Sequence, residues 1–398
     1  MNMIKPHQTL LLAVTGNSPQ IVTETLYGIF QQQLEWPNRI VIITTQIGAA
    51  TAKRTLIDEG KLAALCTEWD LPLPAFSEQD LLVITGAEDK PVDDARTEED
   101  QTALADFITR HVAQFTSDTH TRVHASIAGG RKTMTFFLGY AMTVFGRDFD
   151  RLSHVLVSEQ FESLADFYYP SRNSHLITNR NGEYLDTANA EIMLAEIPFV
   201  SQRSMLGEAN IRHFASLGYS ELVRQIRLAN RPNDIKLHFE FDVTAPSVMV
   251  NDLRLDFSKH RLEFAFYAMF ARPRDEYEDP IERPSDATNI TLVTKALSYE
   301  LTLLMRPNAD AHKEEPKFWE EMEDLAVIDS RTRIAILENP HTIGITEKQF
   351  DARKNSLYKF LKQHVPQALA DILMPSSSGK SKQYRMNLPP EQISFSVG

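Results

Sequence analysis

The fold of this chain is decided by the stretch Ser126-Ile-Ala-Gly-Gly-Arg-Lys-Thr-Met134. A β-like run precedes it, and an apolar, helix-like run follows it. Gly129 and Gly130 let the backbone approach a ligand closely, because they carry no side chain. The free N–H groups of the next helical turn, together with Arg131 and Lys132, then favour an anion such as phosphate.

Apolar runs alternate with helix-like segments throughout the first half of the chain. Strand-like runs cover residues 9–15, 39–45, 81–84, 121–125 and 152–158. Near-continuous aliphatic strands separated by helices predict a parallel sheet that is covered on both faces. We therefore predict an α/β domain with a Rossmann-like, mostly parallel sheet. In the common doubly wound order, strand 1 is central, and strand 4 lies next to it across the switch point where ligands bind.

Two glycine-containing loops are predicted to meet at this switch point. One follows strand 1, and the other is the basic stretch that follows strand 4. Topology and composition therefore indicate one anion site at the carboxyl edge of the sheet. The residues predicted to contact the ligand are Thr15, Gly16, Thr45, Gln46, Ala128, Gly129, Gly130, Thr133 and Ser158.

Two common phosphate-binding motifs are absent from these loops. The dinucleotide fingerprint G-x-G-x-x-G fails after strand 1, where only Gly16 is present, and no acidic residue closes strand 2. The run Gly130-Arg-Lys-Thr133 imitates the tail of a Walker A loop, but that motif needs its lysine directly after glycine. We therefore expect no dinucleotide cofactor and no P-loop nucleotide, and we assign no metal ligands.

Three segments of the chain resemble CRISPR-associated Rossmann-fold (CARF) domains. They are the loop after strand 1 (residues 14–20), the glycine–glycine–basic–basic stretch and the run Arg151–Ser158. The resemblance covers roughly residues 8–200. It implies binding of cyclic oligoadenylate, the second messenger of type III CRISPR systems, with cyclic tetra-adenylate as the expected ring. It also implies a homodimer with the ligand across the two-fold axis. A symmetric ring suits an isologous dimer, which offers two equal half-sites.

The sequence is most similar to the ring nuclease branch of that family, because the second half shows no obvious effector nuclease. The resemblance implies a metal-independent reaction in which a ribose 2′-OH attacks its own phosphodiester. Lys132 and Arg131 would stabilise the developing phosphoryl charge, and Ser18 and Asn17 would orient the reacting groups. The alternative is structural: a solvated basic helix start, and Ser18 as an N-cap before Pro19.

Other residues near the same edge remain open. His124 and His154 could act as acid or base, but both lie mid-strand, which favours a core position. Glu24 and Glu159 lie near the same ends of the strands, and we assign them no role. The aromatic run at residues 161–169 could stack on adenine or fill the core.

We predict three parts: a CARF-like domain over residues 1–203, a helical linker over 204–234 and a second domain over 235–398. In the second domain, Asn251-Asp252 is the expected turn of a hairpin, Ser258 is expected to cap a helix that ends at Ala271, and Thr346 caps another helix. This order resembles an α+β winged helix of the response-regulator type with insertions. The helix from Thr346 would be the recognition element, and the Ser/Gly turn at residues 375–382 would be the wing.

The local positive charge near the C-terminus is compatible with a second function, DNA binding. The net charge of −13 excludes a basic footprint over the whole protein. Residues 346–385, however, carry eight lysines and arginines against three acidic residues, or about +5. The possible DNA contacts are Lys348, Arg353, Lys354, Lys380 and Lys382. The alternative function is therefore a ligand-responsive transcriptional regulator without catalysis.

A third function is a ligand-activated HEPN-like ribonuclease. The run Arg306–His312 has the R-x5-H spacing of those enzymes, but Pro307 disfavours the helix that the motif needs. No apolar run approaches the ~20 residues of a membrane span, and the N-terminus has no signal-peptide layout. The single cysteine, Cys66, excludes an intramolecular disulfide. We expect a cytoplasmic protein.

Overall fold

The computed structural model describes residues 8–86, 90–92, 96–162, 164–207, 211–272, 281–305, 315–338, 343–377 and 383–397. The chain divides into two compact units, Met1–Val223 and Arg224–Gly398. Their boundary falls inside the predicted linker. Lys380, Lys382 and the Arg306–His312 motif lie outside the described residues.

The first unit alternates strands and helices, as its sequence predicts. Its strands are β1 (Gln8–Val14), β2 (Arg39–Thr44), β3 (Leu81–Val83), β4 (Thr121–Ser126), β5 (Arg151–Val157), β6 (Leu176–Thr178), β7 (Tyr184–Asp186) and β8 (Ile192–Glu196). Its helices are α1 (Gln20–Gln31), α2 (Gln46–Ala52), α3 (Lys61–Glu68), α4 (Glu98–Thr116), α5 (Lys132–Phe145), α6 (Arg203–Leu206) and α7 (Ile211–Ser216); α8 (Tyr219–Asn230) continues into the second unit. A π-helical segment, Lys53–Asp58, extends α2.

Six strands form the central sheet, in the order β3-β2-β1-β4-β5-β8. The first five are parallel, and β8 pairs antiparallel with β5 at one edge. The prediction of a mostly parallel sheet with strand 1 central and strand 4 beside it is therefore confirmed. This order places the carboxyl ends of β1 and β4 next to each other, where a doubly wound sheet binds its ligands.

Both faces of the sheet are covered. Leu11 and Ala13 of β1 pack into a core with apolar residues of α1, α2 and α3. Leu10 and Leu12 point to the opposite face, because side chains alternate along a strand. There α5 packs on β1, and α4 packs on α5. Burial on both faces explains why the strands read as continuous aliphatic runs.

A buried ion pair between Arg147 and Asp150 connects the amino ends of β4 and β5. Arg147 donates to both carboxylate oxygens of Asp150, at 2.8 and 2.9 Å. Asp150 also accepts the backbone N–H of Val123, and Arg147 donates to the carbonyl of Thr121. These hydrogen bonds compensate the charges of Arg147 and Asp150, each of which would be costly to bury without a partner. This pair therefore fixes the end of the sheet opposite the two glycine loops.

The second unit is α+β. Its elements are β9 (Leu237–Phe241), β10 (Ser247–Val250), β11 (Leu253–Asp256), α9 (Arg261–Ala271), α10 (Ala287–Met305), α11 (Glu315–Asp324), α12 (Ser330–Leu337), α13 (Glu347–His364), α14 (Gln367–Leu373), β12 (Ser376–Ser377), β13 (Tyr384–Arg385) and β14 (Ile393–Val397). The main sheet has the order β11-β10-β9-β14, with β14 parallel to β9. Strands β12 and β13 form a separate antiparallel pair.

The local predictions for this unit are mostly confirmed. β10 and β11 form the expected hairpin, and Asn251 adopts φ 55° in its turn. Thr346 caps α13 in a capping box with Gln349. The prediction for Ser258 is wrong: α9 begins at Arg261 after His260, and the Ser258 N–H is bound by Asp256. Helix α9 is buried along its whole length in the core of the unit.

Across the described ranges, no helix combines the length and the apolar character that crossing a membrane requires.

Candidate functional site

A cavity of about 530 Å³ opens at the carboxyl ends of β1, β4 and β5. Its walls come from the loops after β1 and β4, the first turns of α1 and the end of β5. The volume lies within the usual range for small-molecule sites. The cavity therefore occupies the position at which a parallel α/β sheet binds ligands.

The two glycine loops touch each other at this cavity. A β-carbon at Gly16 would lie 3.6 Å from the Cα of Gly130. A β-carbon at Gly129 would lie 3.2 Å from the carbonyl oxygen of Val14 and 3.0 Å from the Ile21 side chain. Gly130 itself has φ +83°, a left-handed conformation that favours glycine. Glycine is therefore required here by close backbone packing as well as by backbone conformation.

A third glycine, which sequence reasoning missed, supports the loop after β1. A β-carbon at Gly48, in the first turn of α2, would overlap the Thr44 hydroxyl and lie 2.6 Å from the carbonyl oxygen of Gly16. The Gly48 N–H donates to the hydroxyl of Thr45, which caps α2. The start of α2 therefore packs directly beneath the β1 loop, which only a residue without a side chain allows.

Most of the predicted ligand contacts come together at the cavity. Its lining includes Gly16, Asn17, Ser18, Thr45, Ala128, Gly129, Gly130 and Arg131. Lys132 and Thr133 are exposed in the first turn of α5 and do not line it. Thr15 is buried and donates to the carbonyl of Gly16. Ser158 accepts the Glu191 N–H, and Gln46 borders a separate, shallower depression.

Two long helices begin at the cavity without side-chain caps. Arg131 is the N-cap of α5 and Pro19 is the N-cap of α1, and neither first turn receives a capping hydrogen bond from a side chain. Ser18 therefore does not cap α1. Among the described residues its hydroxyl has no hydrogen-bond partner, so it is available to a ligand. Uncapped helix starts leave backbone N–H groups that favour an anion.

Positive charge lies next to the cavity, at the start of α5. Arg131 lines the wall, and Lys132 follows it at the start of α5. Lys132 forms no ion pair with any residue that the structure describes. Two cations at a helix N-terminus oppose the helix dipole, an arrangement that a bound anion would compensate.

Two carboxyl groups, those of Glu24 and Glu162, also line the cavity. Burial, together with the charge of Glu162, raises the pKa of Glu24 to about 8. Glu24 is therefore mostly protonated at neutral pH and adds little negative charge to the cavity. Sequence reasoning could not assign Glu24 a role, because nothing in the sequence shows that this helix position is buried.

The two strand histidines have different environments. His124 is buried, and its Nε2 lies 2.8 Å from the Ser153 hydroxyl. Burial lowers the pKa of His124 to about 4, so it is a neutral core residue, as its position favours. His154 instead lines the cavity. The core interpretation therefore holds for His124 and is wrong for His154.

The aromatic run after β5 fills the core. Phe161 and Phe167 are almost completely buried, with ring centroids 5.0 Å apart, and Tyr168 is buried beside them. These rings are therefore unavailable to stack on a ligand. The apolar wall of the cavity is formed instead by aliphatic and thioether side chains, namely Ile21, Met134, Val155, Val157 and Leu164.

The possible DNA contacts of the second unit differ in exposure. Lys348 is exposed in the first turn of α13. Arg353 pairs with Glu263 at 3.0 Å, and Lys354 donates to the Tyr384 hydroxyl at 3.2 Å. Two of the five candidates are thus engaged within the unit.

Within the described ranges, no group of three or more His, Cys, Asp or Glu residues is arranged to hold a metal ion.

The chain matches a known protein family. A protein-family model described as CRISPR-associated protein NE0113 (Cas_NE0113) matches residues 18–230. The matched region is more than half of the 398 residues, and it contains Ser18 and the whole of the basic glycine stretch. No curated protein matches the chain.

Proposed function

Since the chain belongs to the family of the CRISPR-associated protein NE0113, we propose that it is a type III CRISPR accessory protein. It binds cyclic oligoadenylate, specifically cyclic tetra-adenylate, in the cavity of its first unit. The observation that carries the proposal is the contact between the two glycine loops beside an uncapped, doubly basic helix start. This arrangement would present backbone N–H groups and Arg131 to a phosphodiester in the cavity, with the exposed Lys132 next to Arg131 at the start of α5.

The remaining lining suits a nucleoside. The apolar wall of Ile21, Met134 and Leu164 can pack against the flat face of a base. Asn17 and Ser18 lie on the loop side and offer polar groups for a ribose or a phosphate. The lining thus offers both apolar and polar groups, as an oligonucleotide with alternating bases and phosphates requires.

Apolar side chains at the mouth of the cavity support a homodimer. Ile47 and Leu156 line the cavity, yet they are 52% and 46% exposed. Phe136, one turn after Lys132 in α5, is 58% exposed. Large apolar groups grouped in this way on a surface mark interaction sites. A second copy would cover them and, by two-fold symmetry, would supply the other half of a site for a symmetric ring.

We propose further that the protein cleaves the ring without a metal. The ribose 2′-oxygen attacks the adjacent phosphorus, the bond from phosphorus to the 5′-oxygen breaks, and the proton of the 2′-OH ends on that 5′-oxygen. The product is linear, with a 2′,3′-cyclic phosphate and a 5′-hydroxyl. Ser18 and Asn17 would hold the reacting groups in line, and Arg131 and Lys132 would stabilise the charge on the phosphoryl oxygens. Removal of the messenger would switch off antiviral signalling.

The test is incubation of the purified protein with labelled cyclic tetra-adenylate in excess EDTA. We expect linear products, and we expect Lys132→Ala to slow their formation by about 100-fold, the usual effect of removing one such group. Lys53→Ala is the matched control, because Lys53 is also a partly exposed lysine of the first unit, but it pairs with Asp58 and Glu78 and does not lie at the start of α5. A ring that binds but stays intact would contradict cleavage, and a ring that does not bind would refute the whole proposal.

The second unit favours one alternative, a cyclic-oligoadenylate-responsive DNA-binding regulator without catalysis. Three antiparallel strands, then helices including α13, and then the β12–β13 pair support this alternative, because the proposed winged helix would need elements in a similar order. In that arrangement α13 would be the recognition helix, with Lys348 and Lys359 exposed on it. The discriminating result is DNA affinity that changes when intact ring is added and falls in the double variant Lys348→Glu/Lys359→Glu. A DNA affinity unaffected by either change would exclude this alternative.

A further inference from the structure

We propose that Glu24 recognises an adenine base of the bound ring through a protonated carboxyl group that donates one hydrogen bond and accepts another. This inference rests on the proposed function and deepens it, because it assigns the base specificity of the site to one residue. Glu24 is one of the residues that sequence reasoning could not explain.

The position of Glu24 is unusual for an acidic residue. It lies in the second turn of α1, it is only 9% exposed, and it lines the cavity. Its carboxyl group has no ion pair and no hydrogen-bond partner among the residues that the structure describes. A buried carboxyl group without a partner is costly, which indicates that a ligand supplies the missing hydrogen bonds.

The charges around Glu24 keep it neutral. The cavity contains three other titratable groups: Glu162 after the 3₁₀ turn that follows β5, His154 on β5, and Arg131 before α5. The other described elements packed on α1, namely α3 and β8, contribute no residue to the cavity lining. Burial and the neighbouring charge of Glu162 raise the pKa of Glu24 to about 8.

A protonated carboxyl group has the hydrogen-bonding pattern that adenine needs. It combines one O–H donor with a carbonyl acceptor. The same donor–acceptor pair, in Asn or Gln, reads the N7 acceptor and the N6 amino group of adenine. On this N7 edge guanine and hypoxanthine present two acceptors, N7 and O6, so only one hydrogen bond can form there. The ionised carboxylate has no donor, so deprotonation should remove the recognition of adenine.

The side chains around Glu24 provide a surface on which the base can pack. Gln20 and Ile21, one turn earlier on α1, line the same cavity, and Met134 and Leu164 supply apolar surface nearby. A base held between these side chains would present its polar edge to a carboxyl group at the same wall. The apolar surroundings also strengthen each hydrogen bond by excluding water.

The experiment is isothermal titration calorimetry of the full-length protein with cyclic tetra-adenylate at pH 6.5 and pH 9. The wild-type protein should bind about tenfold more weakly at pH 9, because only the protonated fraction is competent. Glu24→Gln keeps the donor and the acceptor but cannot titrate, so its affinity should be the same at both pH values. Glu159→Gln, an exposed acidic residue near the same edge, is the control and should behave as the wild type.

A second ligand tests specificity at pH 6.5. Cyclic tetra-inosinate should bind the wild-type protein more weakly than the adenylate ring, and Glu24→Ala should lose this preference. A wild-type affinity that does not change with pH, a pH dependence that persists in Glu24→Gln, or a preference retained by Glu24→Ala would each overturn the inference alone. If the wild-type protein binds no ring at either pH, the proposed function fails, and the inference fails with it.

Discussion

Replacing Glu24 by glutamine should stabilise the first unit in the absence of any ligand. In the unfolded chain this carboxyl group ionises with its ordinary pKa of 4.5, whereas burial raises the pKa to about 8 in the folded protein. Folding at pH 7 therefore requires the uptake of a proton. The cost is 1.36 kcal/mol for each pH unit above 4.5, or about 3 kcal/mol at pH 7. Glutamine has nearly the same shape and avoids this cost.

The sign of the pH dependence follows from the raised pKa. The contribution of Glu24 to stability is fully present below pH 4.5, and it is lost as the pH rises through about 8. The difference between Glu24→Gln and the wild type should thus be near zero at pH 4, grow steadily to pH 8 and stay constant above it.

Hydrogen-exchange mass spectrometry gives the measurement, because peptides from α1 report the opening free energy of this helix separately from the second unit. Glu159→Gln serves as the control and should show no such trend. A difference that is flat between pH 5 and pH 8 would refute the reasoning, because it would mean that Glu24 is ionised in the folded protein.

Three other changes have expected outcomes. Gly48→Ala should destabilise the first unit by about 1–3 kcal/mol, because the added methyl group overpacks the space under the β1 loop, and it should also weaken ring binding. Gly139→Ala is the comparison: a β-carbon there meets nothing closer than 3.9 Å, so this change should stabilise α5 by about 0.5–1 kcal/mol. Urea unfolding measures both changes in stability, and calorimetry measures ring binding. Asp150→Ala leaves Arg147 buried without its carboxylate and should cost about 3–5 kcal/mol in the same unfolding assay; an unchanged midpoint would contradict this. Burial raises the pKa of Cys66 to about 11, so a thiol reagent at pH 8 should label it only after unfolding, and rapid labelling of the folded protein would show that it is accessible.

The first unit could be predicted closely from the sequence because its strands are buried on both faces. Such strands read as continuous aliphatic runs, and the doubly wound order then places β1 beside β4. The short strand β3 was also predicted, because residues 81–84 form a continuous aliphatic run. The contact between the two glycine loops follows from topology alone, so the position of the cavity could also be derived.

The second unit was harder to predict because its sheet depends on pairing between distant residues. The hairpin of β10 and β11 has a local turn, and the prediction succeeded. β9 and β14 pair in parallel across the whole unit, and nothing in either sequence indicates the other. The same limit applies to Glu24 and His154, whose roles depend on which tertiary surface covers them. Periodicity shows the face of a helix or strand, but it does not show whether that face borders a cavity.

The pairing of β14 with β9 has a consequence for biosynthesis. A ribosome completes the first unit, with its sequential strand–helix repeats, well before it adds the strand that closes the second sheet. Domains generally fold as units in the order of synthesis. The nascent second unit must therefore wait with one edge of β9 unpaired until β14 emerges, an interval in which that edge is open to unwanted association and chaperones have reason to engage it.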